Sequence, residues 1–567
     1  MKTNLAKPLA LEDDHSLSPL HALMTVIGLH RAVDGSLSLV IVPSGASPEG
    51  AIKISLALLT VGRHAQVQEL FLKAGAIDLA AKISPKEMSS LLLQAANDCR
   101  STVLDREGIH TIEVDGLSHM AMVKGGRVFW LGDKPAGMNI ALIGKAAQAK
   151  KSAGTIAAFD AEFSAILKTN PRMLVCICFA LASYLFKAFA LRPFCLALIA
   201  SSSTGKTTLQ AFTALVVAGN DKLMTMNATE IGLHDRLANS DLPMEVIEDA
   251  HGASAAAPLL RAIMDVGNGG SRTRSRMGAS GAATAAIECS LLVSAEEDLA
   301  TTARSAGMKL HSGVYARWFE IHAGEHGMAD DIGHLETAAA LMTTLKTAGP
   351  MYRGVVGDAL LAAIGTNWSQ VRMRWLKAPA KIRAAILKRS GLDEVDGVNG
   401  RLLDSLAFCA FIGGIAIDHD VLTVARNDVA QAFGVLFAEH VQRLNVKRTP
   451  VAQQAIESIR HFIQTNAGKF LPISQAGDAT KPNGLAGYLK RTDAAAIYLF
   501  FPGTFRDKFV DRFGTEIYEH LRAANLIVTQ PARGNLMSVR IPAMGGVDGK
   551  RQDFVAIRSA ILDAENA

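Results

Sequence analysis

The residues with the clearest chemical meaning lie in segment 201–208, which reads Ser-Ser-Ser-Thr-Gly-Lys-Thr-Thr. The apolar stretch 194–200 comes directly before it, and a helical pattern that ends near Gly219 comes directly after it. A strand, a loop of small residues, Gly-Lys-Thr and a helix together form the pattern of a phosphate-binding loop, or P-loop. The backbone N–H groups of such a loop hold phosphate at the positive end of the helix. The segment therefore predicts a nucleotide site for ATP.

Each residue of this loop has an expected role in the site. Lys206 would bridge the β- and γ-phosphates, and the Thr207 hydroxyl would bind Mg²⁺. Ala200 stands where the pattern has its first glycine, so we expect the loop to turn without a residue that is free at positive φ. The residues predicted to contact the nucleotide are Ser201, Ser202, Ser203, Thr204, Gly205, Lys206, Thr207 and Thr208.

A second apolar stretch, residues 242–249, ends in two acids, as a P-loop site requires. The usual order is Asp then Glu, whereas here Glu248 precedes Asp249. We expect Glu248 to bind Mg²⁺ through the water shell of Thr207, and Asp249 to polarise the attacking water. The exchanged order alters the reach of each carboxylate by one methylene, which predicts slower hydrolysis. The alternative is a pair of surface acids at a strand end.

Two further polar residues lie where AAA+ ATPases carry sensors of the nucleotide. The third apolar stretch, residues 287–294, ends in Ser294, which would sense the γ-phosphate or its water. Arg317 directly precedes the apolar stretch 318–321, and in hexameric AAA+ helicases such an arginine reaches the nucleotide of the neighbouring subunit. The alternatives are a plain strand end for Ser294 and a salt-bridged structural arginine for Arg317.

Basic residues form a candidate nucleic-acid contact between the second and third stretches. Segment 267–278 carries Arg272, Arg274 and Arg276 at alternate positions, with glycines on both sides. This spacing predicts a β-hairpin whose charges grip single-stranded DNA in the pore of a ring, independently of base sequence. A solvated basic turn, or one that contacts nucleotide, remains the alternative.

Composition limits the classes of protein that can carry these motifs. At 567 residues the chain is too long for one hydrophobic core, and about two to four domains are expected. The 49% hydrophobic and 20% charged residues are typical of a folded globular protein, and the net charge of +5 permits DNA binding without requiring it. The amino terminus is polar, which predicts that no signal peptide is present. None of the six cysteines has the paired spacing of a zinc site, and reduced cysteines of this kind predict a cytoplasmic protein. The apolar stretch 173–200 is interrupted by Lys187, Arg192 and Pro193, so we expect no membrane span.

The elements that must position the motifs predict an α/β fold of four domains. Residues 1–160 predict a small α+β domain of unknown role, with helices at 55–65 and 84–99 and a hairpin around Lys124-Gly-Gly126. Residues 161–345 predict the ATPase core with a parallel sheet, because strand and helix patterns alternate there. Residues 346–447 predict a helical lid, and residues 448–567 predict a winged-helix-like domain.

The tail domain has the rhythm of a winged helix. Two helices, 504–512 and 516–524, precede strands 526–528 and 538–541, which we expect to pair with each other across residues 532–535. Arg522 and Arg533 would meet the phosphates of duplex DNA, and protein docking is the alternative use of such a domain.

The order of these motifs resembles a known family. Five segments follow one another along the chain: residues 202–208, Asn-Ala-Thr at 227–229, the acid strand, the turn at 267–270, and Ala-Arg-Trp-Phe-Glu-Ile at 316–321. This order resembles the AAA+ module of phage, plasmid and cassette-chromosome proteins first catalogued as a domain of unknown function (type 927). Some of these proteins are similar to minichromosome-maintenance-type replicative helicases. The resemblance covers roughly residues 100 to 545.

The resemblance implies a hexameric ring that translocates on DNA with ATP and Mg²⁺, as the replicative helicase of a mobile genetic element. Two other classes stay open on the residues alone. The first is a DNA-binding initiator or regulator that uses nucleotide as an assembly switch and hydrolyses little of it. The second is a P-loop phosphotransferase that acts on a small molecule, which would explain neither the arginine segment nor the tail.

Overall fold

The computed structural model describes residues 24–32, 36–43, 51–74, 83–99, 101–220, 222–226, 229–269, 287–308, 310–333, 335–447, 451–476, 484–491, 496–542 and 549–562. Contacts divide the chain into two compact units, Met1–Val441 and Gln442–Ala567. The predicted boundaries after residues 160 and 345 lie inside the first unit and stay predictions.

The described residues of the amino-terminal part of the first unit form eight strands and four helices. The strands are β1 (Met24–Arg31), β2 (Leu37–Pro43), β3 (Ile52–Ser55), β4 (Ser101–Leu104), β5 (Gly108–Val114), β6 (Leu117–Lys124), β7 (Arg127–Leu131) and β8 (Asn139–Leu142). The helices are α1 (Leu56–Thr60), α2 (His64–Lys73), α3 (Pro85–Asp98) and α4 (Gly144–Gln148). One sheet has the order β3-β2-β1-β4-β8, and β5-β6-β7 form a second sheet.

The predicted hairpin is confirmed, because β6 and β7 pair antiparallel with Lys124 opposite Arg127. The helix at 84–99 is also confirmed, and the Ser84 hydroxyl caps it by accepting from the Glu87 N–H. The single helix expected at 55–65 is wrong. Gly62 has a φ of +75° and separates α1 from α2, because a left-handed residue ends a helix.

A five-stranded parallel sheet forms the centre of the first unit. Its strands are β9 (Cys195–Ile199), β10 (Met224–Thr225), β11 (Met244–Glu248), β12 (Ser290–Ala295) and β13 (Trp318–His322), in the order β10-β11-β12-β9-β13. All four strand pairs are parallel. Helices flank it: α5 (Ile156–Thr169), α6 (Pro171–Ser183), α7 (Lys206–Thr213), α8 (Glu230–Ala238), α9 (Ala253–Asn268), α10 (Leu299–Ser305), α11 (Ser312–Tyr315) and α12 (Ala338–Ala348). A π-helical segment, Ala214–Ala218, continues α7.

Two hydrophobic cores cover the two faces of this sheet. Leu196 and Leu198 of β9 pack into one core, and Cys195, Ala197 and Ile199 pack into the other. This alternation follows from the two-residue period of a strand. A parallel sheet covered on both faces is a three-layer α/β arrangement, so the general α/β prediction is confirmed.

Helices make up the remainder of the first unit. They are α13 (Val355–Thr366), α14 (Trp368–Lys377), α15 (Pro379–Ser390), α16 (Gly397–Asp418) and α17 (Arg426–Lys447), whose last six residues belong to the second unit. By length and composition α16 resembles a membrane span, and α5 with α6 would make a second if the pair, bent by 120°, were one span. The α16 span is 72% buried inside the protein, as core helices of soluble proteins also are. All five cysteines other than Cys99 are buried and free.

The second unit surrounds a mixed sheet with helices. Its helices are α18 (Val451–Thr465), α19 (Pro502–Phe505), α20 (Asp511–Phe513) and α21 (Ile517–Ala523), with a π-helical segment, Arg506–Val510, joining α19 to α20. Its strands are β14 (Phe470–Pro472), β15 (Gly487–Arg491), β16 (Ala496–Phe500), β17 (Ile527–Val528), β18 (Met537–Arg540) and β19 (Arg551–Arg558).

The expected pairing of the two strands in the tail is wrong. β17 and β18 both pair antiparallel with β19, through Ile527 opposite Ile557 and Met537 opposite Phe554. The third strand, β19, comes late in the chain and supplies the ladder hydrogen bonds that β17 and β18 were expected to supply to each other. Local turn signals do not show which of three consecutive strands pair with one another.

Candidate nucleotide-binding site

The carboxyl ends of the parallel strands bring the predicted residues to one edge of the central sheet. Ile199 of β9 is opposite Ala295 of β12, so the loop that starts at Ala200 lies beside Glu296. Ile247 of β11 is opposite Val293 of β12, so Glu248 and Ser294 are the next pair along. Because β12 lies between β9 and β11, its end separates the P-loop from the two acids.

The backbone of the P-loop turns at positions other than residue 200. Ser203 has a φ of +64° and Gly205 a φ of +91°, whereas Ala200 is not in the left-handed region. The loop therefore turns without a left-handed residue at position 200, where the pattern has its first glycine. Gly205 is the N-cap of α7 and supplies the freedom for the turn. A left-handed serine costs roughly 1–2 kcal/mol, which the surrounding structure must offset.

The Lys206 side chain is held inside the loop. Only 8% of the residue is exposed, and its Nζ donates to the carbonyl oxygens of Ala200 at 2.6 Å and Ser201 at 2.7 Å. Burial lowers the pKa of the ammonium, while the nearby carboxylates of Glu296 and Asp249 counteract part of this effect. The lysine thus lies near one acid that follows β12 and one that follows β11.

Gln210 fixes the helix of the P-loop to the two central strands. Its side-chain Nε2 donates to the carbonyl oxygen of Ile247 at 3.2 Å and to that of Leu292 at 3.1 Å. The side chain is fully buried. Since β11 and β12 end in the predicted catalytic residues, this bridge fixes the start of α7 relative to them. No sequence motif pointed to Gln210, whose only signal was a polar residue on the apolar side of the helix.

The turn that follows β13 supports the loop from a second side. The Met328 N–H donates to the Thr204 carbonyl at 2.9 Å. Gly327 has a φ of +71°, and a Cβ there would lie 2.5 Å from the same carbonyl oxygen. Met342 of α12 covers Gly205, where a Cβ would lie 2.6 Å from its sulfur. The backbone contact requires glycine at position 327, whereas at position 205 the flexible Met342 side chain could move and it is the φ of +91° that favours glycine.

A buried ion network ties this supporting turn to the helices. The Arg172 guanidinium, 7% exposed, pairs with Asp330 and also with Glu439 of α17 at 3.0 Å. Its Nε donates to the His322 carbonyl at 2.6 Å. Arg172 therefore connects α6, the end of β13, the turn and α17, and the positioning of the turn depends on it. This arginine carried no recognisable sequence signal.

The predicted catalytic residues lie together at the edge. Among the described residues, Glu248 Oε1, Ser294 Oγ and His251 Nδ1 are buried and have no hydrogen-bond partner. Asp249 has a φ of +54°, and the next N–H, of Ala250, donates to the Ser294 carbonyl at 2.9 Å. Buried polar atoms without partners are costly, so such a cluster indicates a site that receives a polar ligand or water.

Glu296 is a member of the site that the sequence analysis missed. Its carboxylate accepts a hydrogen bond from the Ser202 hydroxyl, which lowers the pKa of Glu296, and the charges of His251 and Lys206 lower it further. The available signal was an acid two residues beyond Ser294, at the end of the third apolar stretch. Glu296 contacts the P-loop directly through Ser202, whereas Ser294 lies opposite Glu248 in the register of β12 and β11.

A divalent metal fits this arrangement when it arrives with a nucleotide. Within the described part of the chain, His, Cys, Asp and Glu form no group of three or more that could hold a metal ion by itself. Mg²⁺ usually takes one or two protein ligands and completes its shell with phosphates and water. The exposed Thr207 hydroxyl and the unpartnered Glu248 oxygen match that requirement.

Arg317 lies at the opposite edge of the same sheet. It precedes β13, whose first residue, Trp318, is opposite Cys195 at the start of β9. Five residues of strand separate the two edges, or about 17 Å. Arg317 donates to the Gly313 carbonyl at 2.6 Å and to Asn268 Oδ1 at 2.9 Å. It therefore cannot reach the P-loop of its own chain.

The predicted DNA contacts are only partly described. Arg272, Arg274 and Arg276 lie outside the described residues. Arg522 of α21 is exposed and donates to Asn535. Arg533 pairs with Asp553 at 3.0 Å, with about half of the arginine side chain exposed. Both tail arginines remain predictions as DNA contacts, and Arg533 would have to exchange a carboxylate for a phosphate.

Comparisons with known proteins agree with this architecture. A family model described as a domain of unknown function (DUF927) matches residues 55–283, which is less than half of the chain. A solved structure described as "SCCmec type IV Cch - active helicase" aligns with a TM-score of 0.60 and 17% sequence identity. The alignment covers 96% of this chain and 95% of that one. A search of curated proteins found no match. At this identity the likeness concerns the fold, and this chain therefore shares the fold of a cassette-chromosome helicase.

Proposed function

We propose that the chain is an ATP-dependent DNA translocase or helicase of the AAA+ class. The observation that carries the proposal is the edge of the central sheet, where the P-loop lysine, Glu248, Asp249 and the end of β12 meet. The shared fold with the cassette-chromosome helicase supports DNA as the substrate. A P-loop phosphotransferase for small molecules is less well supported, because the helicase likeness extends over nearly the whole chain.

ATP would bind with its phosphates along the loop 201–208, at the amino end of α7. Lys206 would leave the carbonyls of Ala200 and Ser201 and donate to the β- and γ-phosphates. Thr207 and Glu248 would hold Mg²⁺, which neutralises phosphate charge when it is bound. Asp249 would accept a hydrogen bond from the attacking water, and Ser294 would report the presence of the γ-phosphate or this water. Glu296 would release Ser202 as the phosphates enter.

The catalytic arginine would come from a neighbouring copy of the chain. Because Arg317 lies about 17 Å from the P-loop edge of its own sheet, it can act on nucleotide only across a subunit interface. A ring, expected to be a hexamer, provides such an interface at every site. Arg317 would then exchange its bonds to Gly313 and Asn268 for contacts with the γ-phosphate. Arginines in this role raise turnover by roughly a thousandfold or more.

DNA would be moved by the segment that follows α9. Arg272, Arg274 and Arg276 belong to it, and Arg317 contacts Asn268 at the end of α9, directly before it. Single-stranded DNA would occupy the ring pore, and duplex DNA would contact Arg522 and Arg533 of a winged-helix-like tail. We propose a cytoplasmic replicative role in a mobile genetic element, without a membrane.

The proposal is tested by ATP turnover with and without single-stranded DNA. We expect DNA-stimulated turnover in the wild type and its loss in both Lys206→Ala and Arg317→Ala. Mixing the two variants should restore part of the activity, because a ring then contains intact loops opposite intact arginines. ATP binding without turnover under any DNA condition would contradict the translocase. It would favour a DNA-binding initiator or regulator that uses nucleotide as a switch. The exchanged order of Glu248 and Asp249, which predicts slow hydrolysis, supports this alternative.

A further inference from the structure

Helices α14 and α15 carry charge of one sign only. No Asp or Glu occurs between Asp358 and Asp393, whereas seven cations do. These are Arg372, Arg374, Lys377, Lys381, Arg383, Lys388 and Arg389. In the whole chain Lys and Arg number 58 and Asp and Glu number 53, so this stretch departs strongly from the balance of the protein.

Three of the seven cations are used within the fold. Arg374 pairs with Asp418, Arg383 pairs with Asp404, and Arg389 donates to Asn427. The other four are exposed and form no ion pair with any acid of the described residues: Arg372, Lys377, Lys381 and Lys388. We call these four the free cations. Lys381 and Lys388 are seven residues apart on α15, so they lie on the same face of the helix.

Apolar and aromatic groups accompany the free cations. Met373 is 53% exposed and Leu376 is 73% exposed on α14. A cleft of about 530 Å³ lies where the end of β7 meets α13 and α14, and its lining includes Trp130, Lys134 and Trp368. The lining also contains one carboxylate, Asp133. The Arg372 guanidinium lies over the Trp368 ring, 5.9 Å from its centroid, and so places one of the four free cations beside the cleft.

We propose that the free cations and this cleft form a binding surface for single-stranded DNA, made of residues other than the predicted pore arginines and the arginines of the tail. Proteins bind single strands by combining cations that follow the phosphates with aromatic rings on which bases stack. The free cations supply the first component, and the partly exposed Trp130 on the wall of the cleft supplies the second. Trp368 is only 7% exposed and belongs to the hydrophobic core behind the cleft. The exposed side chains of Met373 and Leu376 would contact sugars and bases between phosphates. The cleft volume lies within the roughly 300–1,000 Å³ of ordinary ligand pockets, which is sufficient for a base.

The surface rests on the proposed DNA partner but not on ATP hydrolysis, so its test uses the full chain without nucleotide. A surface variant combines three charge reversals, Lys377→Glu, Lys381→Glu and Lys388→Glu. A control variant makes the same change in net charge at three exposed lysines elsewhere in the first unit, Lys86→Glu, Lys168→Glu and Lys222→Glu. Thermal unfolding verifies that both variants fold.

The measurement is the binding of a fluorescent oligo-dT by anisotropy over a range of salt concentrations. Each phosphate contact on a single strand contributes a slope of about −0.7 in log K against log salt. The surface variant should therefore lose about tenfold or more in affinity and have a slope smaller by about 2, while the control stays near the wild type. Trp130→Leu should weaken binding by about fivefold or more with an unchanged salt slope, because base stacking carries no counterion release.

Two results would overturn the proposal: wild-type binding by the surface variant, or equal losses in the surface and control variants. Neither depends on turnover. An inactive ATPase that still binds oligo-dT through Lys377, Lys381 and Lys388 would contradict the translocase and leave this surface in place.

Discussion

The turn that supports the P-loop makes a sharp test of the candidate site. In Gly327→Ala, a methyl group would lie 2.5 Å from the Thr204 carbonyl oxygen, where ordinary contact begins at 3.4 Å. The loop or the turn must therefore move by about 0.9 Å. A misplacement of about 1 Å at a reacting centre can reduce activity by about 10²-fold. We expect nucleotide affinity and turnover to fall by about 10- to 100-fold.

Gly333→Ala is the matched control in the same connection. Gly333 also has a positive φ, +59°, but a Cβ there meets no described atom within 4 Å. Both substitutions therefore carry a similar backbone strain of about 1–2 kcal/mol, and only Gly327→Ala disturbs Thr204. The control should bind nucleotide within about threefold of the wild type.

The assay is the equilibrium binding of a fluorescent ATP analogue, at a temperature where thermal unfolding shows both variants to be folded. A Gly327→Ala protein that binds as tightly as Gly333→Ala would refute the reasoning. It would mean that the 324–328 turn does not fix the position of the loop.

Three further expectations concern charge. Glu296→Gln keeps the hydrogen bond to the loop but removes a negative charge from the phosphate site, so ADP should bind more tightly in equilibrium titrations; weaker binding would contradict this role. Arg172→Met leaves two partly buried carboxylates without their partner and should destabilise the full chain by about 3 kcal/mol in denaturant unfolding. Arg383→Met, at a more exposed pair, should cost about 0–1 kcal/mol. Burial lowers the pKa of His110 to about 4, so only the unfolded chain binds this proton between pH 6.5 and 4. The free energy of unfolding should therefore decrease as the pH falls from 6.5 to 4, by up to about 1.4 kcal/mol per pH unit. His110→Gln should reduce the slope of unfolding free energy against pH, and an unchanged slope would exclude His110 as its source.

Local patterns in the sequence were sufficient for many elements. The apolar period of 451–465 predicts a helix, and α18 has those bounds. The Lys124-Gly-Gly126 turn predicts the β6–β7 hairpin, because glycines adopt the positive φ that the turn requires. The strand, small-residue loop and helix around Lys206 were recognisable for the same reason, since every part of that motif is contiguous in the chain.

Contacts between distant segments could not be predicted in this way. The partner of β17 and β18 is β19, and no local signal distinguishes it from the nearer strand. Glu296 is separated from Ser202 by more than ninety residues of chain, and only the parallel register of β9 and β12 places them side by side. Gln210, Arg172 and Gly327 likewise contact residues that are far from them in the sequence.

The sequence by itself determined which residues are equipped for phosphate chemistry, because that chemistry depends on residue type and short spacing. The tertiary structure decided which of them lie at one edge of the sheet, and it placed Arg317 at the other edge. The physical reason is that strand order and register arise from burial on both faces of the sheet, a property of the whole unit. Lys206, Glu248 and Ser294 meet because their strands are parallel and in register, and Arg317 lies apart because it precedes its strand.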